Sequence, residues 1–320
     1  MAELIGYLLT IDAIFTWALA SLVYKAGLGK TNLKGTLLFR LCCVSLFTLI
    51  ISLIFGSYLF FSDLNNDELI IYLLACLISG LTVTVGDLLY FNALKKIDVS
   101  RAYPIIQLSL IFVYPFAFFL FGEELTLSIF LGGILILSGV FLLSKRDTYN
   151  EQEKFSDGSN EPEKISKEDK KQEEVFIGVL LAVGTAFLWA IAIVAFHQAR
   201  AISHDVYVTN FLRIIFATFF VAILGLFKRE YYISFKKEER HNLKQYGYIG
   251  IAGALSLGLA DSLFYEAAGI NGLILTSTIT ASTPLVQQIF SILFLKEKFR
   301  KRFLIAVVLI IMGNYLILFQ

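Results

Sequence analysis

Apolar stretches of spanning length recur down the chain near 4–24, 33–55, 69–93, 101–121 and 126–144. A second set falls near 175–197, 206–227, 247–268, 272–294 and 302–319. A bilayer core about 30 Å thick is crossed by roughly 20 apolar residues in helical form. No water reaches that depth, so backbone groups must be satisfied within the segment, and each run predicts a helix. Lys145 to Glu174, between the two sets, is crowded with Glu, Lys, Asp and Ser. It holds too little apolar surface to fold by itself and is expected to be a flexible linker. The pattern therefore predicts an all-α integral membrane protein with ten transmembrane helices. Residues 1–144 form one five-helix repeat, 145–174 the linker, and 175–320 a second repeat.

The two sets can be laid over one another. Trp17 matches Trp189 172 positions on, Arg40 matches Arg213 at 173, and Asp87 matches Asp261 at 174. Glu123 with Glu297 and Gly139 with Gly313 keep the last offset. Five is odd, so the second copy must enter the membrane upside down. The loop charges agree with an inverted repeat. Lys25, Lys30 and Lys34 lie in loop 1–2, and Lys95, Lys96 and Arg101 in loop 3–4, while loops 2–3 and 4–5 carry no Lys or Arg. In the second half the bias reverses: loops 7–8 and 9–10 are basic, loop 6–7 has only Arg200, and loop 8–9 has none. All basic loops then share one side, which the positive-inside rule makes cytoplasmic, with the linker inside and both termini outside the cell membrane.

Composition supports the membrane reading: 57% of residues are hydrophobic and 17% charged, against about a quarter charged in soluble domains. A net charge of +1 with no basic patch between aromatics gives no sign of nucleic acid as a partner. Cys42, Cys43 and Cys76 lie in apolar runs without metal-ligand spacing, and His197, His204 and His241 are scattered. No metal, cofactor or paired catalytic acid is implied, so an enzyme is not expected. The stretch Leu4 to Tyr24 has Glu3 on its flank and Asp12 inside it, which predicts a retained first span rather than a cleaved signal.

Candidate chemistry comes from polar residues inside the apolar runs, which are expensive there unless they face protein or a water-filled cavity. Asp87, Tyr90 and Phe91 share one helix face by their spacing of three and four, as do Asp261, Phe264 and Tyr265. Thr276, Thr280, Thr283 and Gln287 make a stripe on span nine, and Tyr103, Gln107 and Tyr114 one on span four. Such stripes line a cavity or bond across helices. Pro104, Pro115 and Pro284 can bend these helices. Arg40 is near enough to Lys34 to snorkel to the surface, whereas Arg213 is deeper and suits an anionic group or an aspartate. Trp17 and Trp189 can line the cavity or pack. Gly178, Ala182, Ala186 and Ala190, like Gly250, Ala254, Gly258 and Ser262, are spaced for close helix contact.

Trp17-Ala-Leu-Ala-Ser-Leu-Val-Tyr-Lys25, Arg40, Tyr90-Phe91-Asn92-Ala93-Leu94 and Gly122-Glu123-Glu124-Leu125, with Trp189, Arg213, Pro284 and Leu295-Lys296-Glu297, form a wider set. In these features the chain resembles the EamA-type, ten-span branch of the drug/metabolite transporter superfamily, over nearly its whole length except the linker. Leu110 stands where a proline matching Pro284 would fall, and the linker is longer than usual for that family.

The resemblance implies a secondary active transporter, an exporter or permease of a small organic metabolite, amino acid or drug-like solute. Its cavity would be lined by spans one, three, four, six, eight and nine, with spans five and ten peripheral. Asp12 is placed like the proton-coupling acid of the small multidrug exporters in the same superfamily, so protons are a candidate coupled partner beside the solute and the lipid. A non-transporting sensor or scaffold, or a passive permease, is the alternative.

Overall fold

The computed structural model describes residues 2–28, 31–97, 102, 105–144, 161–295 and 301–318. Every regular element among them is helical. Leaving aside short turns of helix at Phe60–Asp63, Arg229–Phe235 and Lys237–Asn242, these are in chain order α1 (Ala2–Leu28), α2 (Leu33–Phe55), α3 (Asn66–Leu94), α4 (Ser109–Phe121), α5 (Leu127–Ser144), α6 (Glu161–Ser203) and α7 (Val206–Phe227). Then come α8 in three continuous parts (Leu243–Gly253, Ala254–Ala260, Asp261–Asn271), α9 in two (Leu273–Thr280, Thr283–Leu295) and α10 (Lys301–Leu318). Among the described residues, six helices are long and apolar enough to cross a membrane: Ala2–Tyr24, Leu33–Phe55, Asn66–Leu94, Gln172–Ser203, Val206–Phe227 and Lys237–Asn271. Shorter apolar helices cover Ile111–Phe121, Leu127–Leu142 and Phe303–Leu318.

Two elements depart from the simple pattern for local reasons. Pro284 has no N–H to give to Thr280, and α9 breaks just before it, at Ala281 and Ser282. The freed carbonyls find other donors: the Thr283 hydroxyl bonds Thr280 O at 2.6 Å, and the Gln107 amide, in the turn before α4, bonds Ala281 O at 3.2 Å. Ala254–Ala260 of α8 is π-helical. Asn210 of α7 donates to Leu257 O at 2.9 Å, Gly258 O at 3.1 Å and Ser262 Oγ at 3.0 Å, which satisfies the backbone carbonyls beside that bulge.

The linker also differs in its bounds. Residues 145–160 lie outside the described residues, and 161–174 continue α6 as helix. A charged stretch rich in Glu and Lys needs no core of its own once it extends a helix already nucleated beside it.

Helix packing pairs α3 with α6, α1 with α8, α2 with α7 and α5 with α10. The last pair meets through glycines: a side chain on Gly132 or Gly313 would strike the other's carbonyl oxygen, and one on Gly139 would strike Ala306 O. The largest buried cluster draws Ala13, Val113, Ile136, Ala190, Phe264 and Ile310 from six helices. Leu53, Phe119, Leu226 and Ile305 stand exposed on the outside, as an apolar surrounding requires.

Contacts at the helix ends define two poles. At one, Lys34 forms an ion pair with Glu230, Gly35 packs on Ile233, and Gly178 of α6 packs on Lys96 and Ile97. At the other, Asn271 donates to Glu3 O at 3.1 Å, Ser57 N donates to Asp205 at 2.6 Å, and Leu273 N donates to Glu123 at 2.6 Å.

Candidate functional site

Within each half, the matched arginine and aspartate form one ion pair. Arg40 Nη2 bonds Asp87 Oδ2, and Arg213 Nη2 bonds Asp261 Oδ2 at 2.5 Å. All four residues are buried. Taking a charge this far out of water is costly, and a close opposite charge with further hydrogen bonds is what makes it tenable. The surroundings repeat as well. Arg40 lies over the Tyr24 ring at 5.9 Å, and Arg213 lies over the Phe196 ring at 5.0 Å, Phe196 being the position that matches Tyr24. Tyr24 also accepts from Arg40 at 3.4 Å and shares a hydrogen bond with Ser256 of α8. Tyr265 accepts from Arg213 at 3.3 Å and stacks on Phe196 at 3.6 Å.

Arg40 was expected to snorkel, and the structure corrects this. It stands seven residues into α2, and Asp87 stands seven short of the end of α3. At 1.5 Å per residue both lie about 10 Å from the pole of Lys34. A carboxylate at equal depth on the neighbouring helix holds the guanidinium inside. Arg213 and Asp261 lie at a like depth from the opposite pole, about 10–15 Å by the same rise.

The tryptophans tie the halves together. Trp17 of α1 packs on Phe264 at 5.6 Å and donates to Asp261 Oδ1 at 3.1 Å. Trp189 of α6 packs on Tyr90 at 5.9 Å, against Gly86, but its indole N–H has no partner among the described residues. Trp17 thus donates to the aspartate of the other half, while Trp189 packs against Gly86, the residue next to Asp87 in the chain.

The polar stripes bond chiefly within and between helices. Tyr114 shares a hydrogen bond of 2.8 Å with Thr278, and Gln107 faces Ala281, its own matched position 174 residues on. Thr280 and Thr283 bond carbonyls of the preceding turn, Thr276 is buried with its hydroxyl unpartnered among the described residues, and Gln287 is half-buried. Phe91 packs with the cluster of Leu37 and Leu41. Tyr103 and Pro104 lie outside the described residues. Asp12 is exposed on the flank of α1 that carries Leu8, Phe15 and Leu19, apart from both ion pairs. Two clefts open on the outside. One, of about 450 Å³, lies by Arg229 and Tyr232; the other, of about 350 Å³, lies between α1, α9 and α10 by Ile14 and Leu285.

Three contributors went unread in the sequence. Asn210 replaces the leucine of the matched position and holds the bulge of α8. Thr278 lies off the predicted stripe of α9. Glu123 was read only as part of a motif, yet its carboxylate accepts from Leu273 N and from Ile274 N at 2.7 Å. It thereby caps the start of α9.

A bundle of apolar helices carrying a duplicated buried charge pair defines a polytopic membrane protein with internal repeats, a common build for membrane transporters. The chain belongs to the EamA-like transporter family, which matches residues 4–145 and again 176–319. An uncharacterized transporter of Archaeoglobus fulgidus is 24% identical over 238 residues, which cover 74% of this chain and 73% of that protein. An uncharacterized transporter from the cobO 3′ region of a Sinorhizobium species is 39% identical over 67 residues, covering 21% of this chain and 48% of that protein. One crystal structure matches with a TM-score of 0.70 at 17% identity, covering 98% of this chain and 95% of the other, which speaks for a shared fold.

Proposed function

We propose that this chain is a secondary active transporter that exports a small organic solute by alternating access, built as ten spans in two inverted five-helix repeats. The observation that carries the reading is the ion pair present twice, Arg40–Asp87 toward one pole and Arg213–Asp261 toward the other. Opposite senses of the halves are supported by the poles: α1 begins where Glu3 meets Asn271, and its match α6 packs by Gly178 against Ile97 at the far pole. Lys34, Lys95 and Lys228 gather around Glu230 at one pole, which the positive-inside rule assigns to the cytoplasm.

In such a design each half takes on the other's arrangement when the protein turns over. Trp189 then donates to Asp87 while Trp17 releases Asp261, and the solute is handled between the two pairs, beside Tyr90, Phe264 and Tyr265. Aromatic rings next to carboxylates suit an amphipathic or cationic solute, and amino acids fit the same polar surroundings.

The test is counterflow in proteoliposomes loaded in turn with amino acids, amines and cationic drugs. Saturable uptake of label, stimulated by the same unlabelled solute inside, is the expected result. Flux that neither saturates nor responds to internal solute would replace the transporter with a passive pore.

A further inference from the structure

The start of α9 is held by a single side chain from another part of the fold. Both oxygens of Glu123, in the connection from α4 to α5, accept backbone N–H groups: Oε1 from Leu273 at 2.6 Å and Oε2 from Ile274 at 2.7 Å. Gly272, immediately before, has φ +86°, a left-handed backbone that favours glycine and fits a pivot. His197, buried near the end of α6, has Nε2 at 3.9 Å from Glu123 Oε1, and its Nδ1 has no partner among the described residues. Its ring stands edge-on to Phe121 at 4.7 Å. The charged groups around it are Glu123, Arg200 three residues on along α6, and Glu266 of α8, which lies 3.8 Å from Arg200.

We propose that His197 and Glu123 form a proton-binding site whose occupancy decides whether the start of α9 stays docked on the connection between α4 and α5. A proton from bulk water adds to the imidazole lone pair, and no bond of the protein breaks. The imidazolium sits beside the Arg200 cation, so Glu123 is its available counter-ion. A carboxylate turned toward His197 gives up its bonds to Leu273 and Ile274, whose hold on it weakens in competition with a full charge. The pole concerned is the one opposite Lys34, where a proton arriving from outside the cell would enter. The break at Ala281 and the Gln107 bond beyond it carry the movement into the centre of the bundle. Proton binding is thereby linked to the outer gate, by residues distinct from Asp12.

This linkage rests on the transporter reading for its purpose alone. Amide exchange reads it without any solute, so either can fail while the other stands. Hydrogen exchange of the full chain in lipid nanodiscs, followed on a peptide covering Gly272–Thr276 and corrected for intrinsic rates, is compared from about pH 8 to about pH 4, a range carried below ordinary histidine titration because burial and the neighbouring Arg200 cation both oppose a charged imidazole. Protection at Leu273 and Ile274 is expected to fall roughly tenfold on acidification, the scale of one charge-assisted hydrogen bond. H197Q should stay protected throughout, and E123Q should be unprotected throughout. Protection that ignores pH in the unaltered protein, or a pH response that survives in H197Q, overturns the proposal. Should E123Q fail to fold, the first two proteins still decide it.

Discussion

Trp17 and Asp261, 244 residues apart in the chain, are joined by an indole N–H that donates to the carboxylate at 3.1 Å. Their counterpart Trp189 packs against Gly86, next to Asp87 in the chain, and its indole N–H has no partner among the described residues. Under the proposed alternating access, this asymmetry corresponds to one of two states.

The chain has only two tryptophans, so fluorotryptophan labelling gives two resonances. D261N should move the Trp17 signal and leave Trp189 nearly in place. D87L should remove the acceptor that Trp189 needs in the opposite state and leave one set of signals under all conditions. Two sets persisting in D87L would refute the exchange.

Substitution of one member of a buried pair leaves the other charge uncompensated. D261N is expected to lower stability by about 3 kcal/mol, since single breaks of buried pairs cost that much or more. R213M combined with D261L should recover most of the loss in thermal unfolding while abolishing transport. If the double variant transports normally, the pair has no functional part.

Close approach of α5 and α10 depends on glycine. A Cβ on Gly313 would stand 2.6 Å from the Gly132 carbonyl oxygen, so G313V must push the helices apart and should cost on the order of 1–3 kcal/mol. Alanine at the exposed Leu304 of the same helix serves as the neutral control in the same melting experiment.

At the basic pole the Lys34 ammonium holds the Glu230 carboxyl below the usual carboxylate range. A depressed value in the folded state means that the link stabilises above the unfolded carboxylate value of about 4.3 and is lost as pH falls through the folded one. The pair is solvent-exposed, so the effect is small and weakened by salt. Stability of the unaltered protein and of E230Q should differ slightly at neutral pH and converge in acid. A gap that widens in acid would contradict the assignment.

The buried acids were legible in the sequence. An aspartate followed by two aromatics at three and four residues occurs twice, and in both copies the carboxylate is buried in the bundle. The spacing sufficed because helical periodicity decides which residues share a face. Arg40 was misread for a reason of the same kind: distance along one helix measures depth, but it does not say whether a partner waits at that depth on the next helix. Pro284 announced an interruption of α9, whereas the donors that mend it come from Gln107, in the turn before α4, and from a hydroxyl one turn away. Asp12, conspicuous in its apolar run, is exposed on the side of α1 shared with Leu8 and Phe15, a direction that a lone acid in a run cannot declare.

What the sequence by itself determined is where apolar runs lie, which helix faces carry polar residues and how the two halves correspond. Those follow from transfer of side chains out of water and from helical periodicity, which need no knowledge of neighbours. Only the tertiary structure decided the pairings, Arg40 with Asp87, Trp17 with Asp261 and Glu123 with the start of α9. Each joins residues on different helices, and such a meeting depends on depth, rotation and close approach, which no single helix specifies.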